Sequence, residues 1–376
     1  MTKDTVVTMK STTGSVTGQA PEGRSNGLRE TVARIASPSD ANLARQVQER
    51  LDSLTKPRGS LGRLERIVID YSLARGTADW SLPKKALFVF CADHGITAEG
   101  VSAYPQDVTH QMAENFVSGG AAINVLCRQY DIDPIIIDMG VNHTFDSGRG
   151  IVDRKIAFGT QNFLRCAAMT PEQAVESIET GISLARAAAR LEYGLLAIGE
   201  MGIGNTTSGS AITALLTNQP VERVSGPGTG LNESQVGHKT EILRQALAAR
   251  QVDREDPLAV LSGVGGFEIG GMCGFLLGAA AERVPVAVDG FIATSAALLA
   301  VRLAPSAKDY MFFSHRSAEP GHRAALDALD VEPLLALGMR LGEGTGAALA
   351  VGVIESALRL YKEMATFGSA EVSDKA

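Results

Sequence analysis

Aromatic side chains are scarce, with one Trp and six Tyr among 376 residues. That leaves little for the stacking platforms on which single-stranded nucleic acids are bound. Positive charge is also short: 35 Lys and Arg stand against 42 Asp and Glu, a formal net charge of -7. The basic stripe of a nucleic-acid-binding protein is missing, so no nucleic-acid partner is expected. Any phosphate must be held locally, by backbone amides and a few cations. The four cysteines, Cys91, Cys127, Cys166 and Cys273, form no CxxC pair. This excludes zinc-ribbon spacing and suits free thiols in a reducing compartment. The longest uncharged apolar runs, Ile269–Ala281 and Phe291–Val301, fall short of the roughly 20 residues that cross a bilayer. The opening MTKDTVVTMK places acids and threonines where a signal peptide carries its apolar core. A soluble, cytoplasmic protein with no membrane partner is expected.

Against these absences stands an ordinary globular balance, 45% hydrophobic and 20% charged, with 40 glycines gathered in short loops. Residues 1–27 are rich in Thr, Ser and Gly without periodicity and read as a disordered extension. Residues 366–376 read as a polar tail. From Leu28 to about Leu54 the spacing of Val32, Ile35, Leu43, Val47 and Leu51 predicts helices. Between the ends, short apolar runs alternate with Gly- or Asp-bearing loops and Ala/Leu-rich helical stretches. The runs are Ala86–Cys91, Pro134–Met139, Gly194–Ile198, Val284–Val288 and Tyr310–Phe313. Uninterrupted apolar strands between helices predict an α/β, doubly wound fold whose parallel sheet is covered on both faces.

Each run ends in polar residues. They are Asp93-His94-Gly95, then Asp138 with Gly140, Glu200 with GIGNTTSG, Asp289-Gly290, and Ser314-His315-Arg316-Ser317. Ligands bind outside the carboxyl ends of parallel strands, so five loops are expected to converge on one edge.

Gly199–Gly209 (GEMGIGNTTSG) has the glycines of an amide-lined anion site, and Thr206 or Thr207 would cap the following helix. A Gly-rich turn that merely closes strand–helix packing fits it equally well. It is not a P-loop, because the GK[ST] ending is absent. Ser225–Gly230 (SGPGTG) precedes Lys239, which would supply a phosphate cation or lie on a helix surface. In Leu341–Gly346 (LGEGTG), Glu343 reads either as a carboxylate on a helix dipole or as a general base on a flexible loop. Asp93 and His94 invite a metal, yet no second histidine lies nearby and HExxH is absent. His315 and His322 suit phosphate or ribose better than metal, while His110, His143 and His238 read as polar or capping residues. No G-x-S-x-G elbow supports a serine triad.

Seven blocks occur in order: KPRGSLGRLE (Lys56–Glu65), CADHGITAEGVSAYPQDVT (Cys91–Thr109), IGEMGIGNTT (Ile198–Thr207), GPGTGL (Gly226–Leu231), DGFIATSAAL (Asp289–Leu298), FSHRSAEPGH (Phe313–His322) and LGEGTGAALA (Leu341–Ala350). Together they closely resemble the nicotinate-nucleotide–dimethylbenzimidazole phosphoribosyltransferases of the cobalamin lower-ligand pathway, over about residues 28–365. The resemblance implies a Rossmann-like catalytic domain at 86–340, a small helical domain from 28–85 and 341–365, and a homodimer.

It also implies the reaction. Nicotinate mononucleotide passes ribose 5-phosphate to 5,6-dimethylbenzimidazole, giving α-ribazole 5′-phosphate and nicotinate without cofactor or metal. By the family's pattern Glu343 is the base, and Glu200 stabilises cationic charge and positions the ligand. Phosphate and ribose contacts carry over to Gly202, Gly204, Asn205, Thr206, Gly228, Lys239, Asp289 and Ser317. Contacts to the base carry over to Ser102, Tyr104, Gln111, Met201 and Leu341. Two rivals remain open here: a metal-dependent hydrolase using Asp93, His94 and Asp289, and a non-catalytic azole- or nucleotide-binding relative. The presence of both Glu200 and Glu343 disfavours the second.

Overall fold

The computed structural model describes residues 24–228 and 230–373. Six strands form one parallel sheet: β1 (Lys84–Ala92), β2 (Asp133–Gly140), β3 (Ile151–Asp153), β4 (Tyr193–Met201), β5 (Val286–Val288) and β6 (Met311–Phe313). Their spatial order is β3-β2-β1-β4-β5-β6. Phe88 of β1 lies between Ile135 of β2 and Ile198 of β4. The chain first builds outward from β1 to β3 and then crosses back to β4, which puts the topological switch point between β1 and β4. All five apolar runs lie wholly or largely in strands. β3 was not foreseen, because three edge residues are too few to establish a period.

The pleat sends alternate side chains to opposite faces, and β1 divides its residues accordingly. Ala86, Phe88, Phe90 and Ala92 join one core, and Leu87, Val89 and Cys91 join the other. The first face carries α1 (Arg24–Arg34); the second carries α2 (Ala41–Ser53), α3 (Arg63–Arg75), α4 (Val108–Ser118) and α5 (Ala122–Tyr130). Back on the first face lie α6 (Pro171–Arg190), α7 (Asn205–Thr217), α8 (Val221–Val224), α9 (Glu233–Arg250), α10 (Pro257–Val264), α11 (Phe267–Ala281), α12 (Phe291–Leu303) and α13 (Pro320–Leu329). The last helix, α14 (Thr345–Glu363), returns to the second face. Local signals start several helices. Asp40 accepts from the amides of Asn42 and Leu43 ahead of α2, and Thr170 and Gln173 form a capping box ahead of α6. The apolar run in α11 is buried along nearly its whole length, and no described helix is long and apolar enough to cross a membrane.

The helices α2, α3 and α14 pack on one another, and the chain ends are tied there. Thr55 donates its amide to the Ala365 carbonyl at 3.0 Å, and Phe367 to the Ser53 carbonyl at 3.0 Å. Residues 366 and 367 of the expected tail are therefore paired. This helical group shares its core with Leu87, Val89, Leu195 and Ala197 of the sheet. One correction concerns the span 28–85: α1 does not join the group, since Leu28 packs in the opposite core. The helix also begins at Arg24, inside the extension expected over 1–27, of which residues 1–23 lie outside the described ones.

Candidate active site

At the carboxyl ends of β4, β5 and β6 a narrow cleft of ≈ 80 Å³ is lined by Glu200–Ile203, Asn205, Thr206, Gly228, Gly290–Ile292, His315, Ser317, Glu319 and Arg340–Gly342. Three of the five expected loops reach it, joined by the SGPGTG and LGEGTG segments. The loops after β1 and β2 do not: their polar side chains turn into the fold, where Asp93 Oδ1 is buried without a well-formed hydrogen bond among the described residues. Asp93 accepts from the Asn142 amide at 2.8 Å. Asp138 accepts from the amides of Gly140 and Val141 and pairs with Lys155 at 2.7 Å. His94 is fully buried between Ser208 (3.0 Å) and Glu268 (2.7 Å), behind the GIGN turn. Among the described residues no three His, Cys, Asp or Glu side chains could hold a metal ion together. A roomier cavity of ≈ 560 Å³ lies at the opposite, amino-terminal edge of β2, lined by residues such as Phe116, Ile132 and Ile136. It lacks the converging polar loops of the cleft.

Glu343 stands in an unusual backbone. It has φ 62°, between Gly342 at 82° and Gly344 at 89°, so three successive residues are left-handed. A non-glycine residue pays roughly 1 kcal/mol for that conformation, and surrounding bonds must hold it. The Glu343 amide donates to the Glu200 carbonyl at 3.2 Å. Asp289 accepts from the Gly344 amide at 3.1 Å and the Ala347 amide at 3.0 Å, pinning the first turn of α14. A methyl group on Gly199 would collide with the Gly344 amide, so only glycine lets the loop lie this close to β4. The Glu343 carboxylate faces the start of α5, where the Ile123 amide donates to it at 3.4 Å. Burial pushes its carboxyl up; the Ile123 bond opposes this and the Asp289 charge adds to it.

Glu200 closes the floor of the cleft. Its carboxyl lies directly beneath Gly342 and accepts a hydrogen bond from the Asn205 amide group. Burial pushes it up to about 8, against the Asn205 bond and helped by the charges of Asp289, Glu268 and Glu343. Two carboxyl groups that burial pushes up therefore lie on one side of the cleft, and among the described residues no cation is paired to either.

The other end carries the cations. Lys239 is fully buried and donates to Thr206 Oγ1 at 2.9 Å and to the Gly226 carbonyl at 3.2 Å. Burial brings its amine down to about 8, against the pull of Glu319. Arg340 reaches across the opening to the Gly228 carbonyl at 2.6 Å. Ser317 is held by His322, whose Nδ1 accepts from the Ser317 amide at 2.8 Å. That bond puts the His322 proton on Nε2, 2.9 Å from Thr294 Oγ1. Burial, with the nearby His315, pushes His322 down to about 3, so it stays neutral.

Of the expected residues, the cleft brings together Glu200, Met201, Gly202, Asn205, Thr206, Gly228, Ser317 and Leu341, with Lys239 and Glu343 just behind its walls. Others lie outside the lining. Asp289 is behind it, with both its oxygens engaged at the start of α14. Gly204 is the left-handed residue before α7, not part of the lining, and no side chain caps that helix: Thr206 gives its oxygen to Lys239. His322 lies beneath Ser317 rather than in the cleft. Ser102, Tyr104 and Gln111 lie outside the lining. The Ser102 hydroxyl accepts from the Tyr104 amide, Tyr104 is 52% exposed, and Gln111 is exposed on α4. The α4 residue that does touch the GIGN turn is Thr109, which accepts from the Ile203 amide at 3.1 Å. Arg340 and Glu319 were missed, although each lies within two or three residues of a residue singled out in the sequence.

A phosphoribosyltransferase family model matches residues 36–372. The nicotinate-nucleotide–dimethylbenzimidazole phosphoribosyltransferase of Chlorobium chlorochromatii is 49% identical over 346 residues, covering 92% of this chain and 98% of that protein. The enzyme of the same name from Desulforamulus reducens is 50% identical over 347 residues, covering 92% and 99%. A solved structure of CobT from Thermus thermophilus superposes with a TM-score of 0.85 at 42% identity, covering 89% of this chain and all of the other. Matches of this extent take in the sheet, both terminal helical segments and every loop of the cleft. The chain therefore belongs to the nicotinate-nucleotide–dimethylbenzimidazole phosphoribosyltransferase family.

Proposed function

We propose that the protein transfers ribose 5-phosphate from nicotinate mononucleotide to 5,6-dimethylbenzimidazole, giving α-ribazole 5′-phosphate, nicotinate and a proton. The observation that carries this reading is the polarity of the cleft, with carboxyls that have no cation partner among the described residues at one end and Lys239 and Arg340 at the other. The donor has matching polarity, a cationic pyridinium on C1′ and an anionic phosphate on C5′. Its leaving group departs as a neutral ring, so neither a metal nor an acid is needed to expel it.

Attack by a benzimidazole nitrogen inverts C1′ and turns a β-nucleotide into an α-product. As the new bond forms, the other ring N–H becomes acidic, and Glu343 takes that proton. Glu200 steadies the cationic charge on ring and ribose. Gly202, Asn205, Thr206, Gly228, Lys239 and Ser317 hold the phosphate. Met201 and Leu341 wall the acceptor, joined by Phe291 and Ile292 of the cleft lining. Ser102, Tyr104 and Gln111 are left out of the acceptor's walls because they lie outside the lining.

The family resemblance also supports a homodimer and a cytoplasmic setting; sedimentation analysis at micromolar protein tests the first. The reaction is tested by mass spectrometry of purified protein with both substrates. Equimolar nicotinate and α-ribazole phosphate is the expected result, and nicotinate without the ribazole would make the protein a hydrolase.

A further inference from the structure

Glu319 takes no part in the chemistry above, yet it lines the cleft and is only 5% exposed. Among the described residues neither carboxylate oxygen has a side-chain donor or a well-formed hydrogen bond, and only the Gly228 amide is turned toward the group. A buried carboxylate without donors is costly, so such a group marks a place where donors arrive from elsewhere. The neighbouring cations do not supply them. Lys239 gives its hydrogen bonds to Thr206 and Gly226, and Arg340 donates to Gly228. Burial pushes the Glu319 carboxyl up, against the opposing effects of Lys239, the Gly228 amide and Arg340.

The missing partner must be an O–H or N–H donor. A phosphate brings acceptors and negative charge, and the nicotinate ring brings no donor. The single N–H of the benzimidazole goes to Glu343 at the other end. What remains on the substrates is the pair of ribose hydroxyls, and the 3′ hydroxyl lies next to the phosphate-bearing arm. We propose that Glu319 accepts hydrogen bonds from the ribose hydroxyls of the bound nucleotide and thereby selects ribonucleotides over deoxyribonucleotides. This rests on the reading that a phosphorylated ribose occupies the cleft.

The test compares kcat/KM for nicotinate mononucleotide and its 2′-deoxy and 3′-deoxy analogues in the wild type, Glu319→Gln and Glu319→Ala. Turnover of the parent nucleotide by the wild type establishes the reaction independently. A hydrogen bond to a charged acceptor corresponds to a wild-type preference of about 10- to 100-fold over at least one analogue. Glu319→Ala is expected to narrow that preference to within about threefold, whatever its absolute rate, because the ratio isolates the hydroxyl contact. If the alanine variant does not fold, Glu319→Gln decides, with a narrowing of at least about fivefold expected. A wild type without preference, or a preference unchanged in the variants, overturns the proposal.

Discussion

The pH profile of kcat/KM follows from two buried groups at opposite ends of one cleft. Glu200 must be ionised to steady a cation, and burial has pushed it up to about 8. Lys239 must be charged to hold a phosphate, and burial has brought it down to about 8. The two requirements overlap only in a narrow band. If the groups titrate independently, about a quarter of the free enzyme is correctly protonated at pH 8, where the profile peaks. Activity falls to roughly a third of that peak at pH 7 and a few per cent at pH 6. Glu343 must also be ionised, so the acid limb steepens toward a slope of two.

The perturbations act on that limb. Glu200→Gln removes one of the two carboxyls, and its acid limb relaxes toward a slope of one. Asn205→Ala removes the bond that holds Glu200 down, which moves the limb to higher pH. The assay is initial-rate release of nicotinate from pH 5.5 to 10 at constant ionic strength, with substrate well below KM. A wild-type profile flat from pH 6 to 9 would refute the assignment of these groups, as would an acid limb unmoved in both variants.

Glu343→Gln is expected to lower kcat by ~10²- to 10⁴-fold, the loss typical of a missing general base, while the phosphorylated substrate still binds by calorimetry. Gly199→Ala drives a methyl into the Gly344 amide; a loss of about 1–3 kcal/mol in urea unfolding and at least a tenfold loss of kcat are expected, and normal activity would show that the loop need not lie there. The raised Glu200 carboxyl contributes stability that is fully present below about pH 4.5 and lost as pH rises through about 8. Glu200→Gln should therefore match the wild type near pH 4 and exceed it by up to roughly 5 kcal/mol at pH 9. Saturating EDTA is expected to leave turnover unchanged; a loss restored by zinc or manganese would point to metal-dependent chemistry.

The sheet was legible because a fully covered parallel strand has to be apolar throughout, and runs such as Ala86–Cys91 carry that requirement in their composition. The glycine-rich loops were legible for a related reason, since close backbone approach leaves few alternatives to glycine. What could not be read was which polar residue faces the cleft and which turns inward. Asp93 and Asp289 each follow an apolar run, yet one is tied to the Asn142 amide and the other to the first turn of α14. His315 lies in the loop after β6 and His322 in the first turn of α13, and only the first lines the cleft. Those outcomes depend on partners 49 and 55 residues away or more in the chain, and local pattern holds no information at that range. The Ile123 amide, which faces Glu343 from 220 residues away, lay outside any motif for the same reason.

Asp289 also explains why the carboxyls can gather as they do. Asp289 and Glu343 both raise Glu200, and Asp289 raises Glu343, which a fold tolerates only when other bonds hold the loop in place. Asp289 supplies those bonds from below by accepting two amides of α14, and in doing so it adds negative charge beneath Glu343. The anchor that fixes the loop thus also raises the electrostatic cost of the empty site. A pyridinium entering beside these groups offsets part of that cost, and its departure as nicotinate, whose ring nitrogen is uncharged, restores it. The carboxyl end is then matched to a cation that is consumed during the reaction and leaves a less favoured product ring. Asp289→Asn should weaken the match and the anchor together. It is expected to lower kcat by at least tenfold, because Glu343 loses its fixed position, and to move the acid limb to lower pH, because one negative neighbour is gone. If the limb stayed in place while kcat fell, Asp289 would be an anchor alone, and the link between holding the loop and tuning its charge would fail.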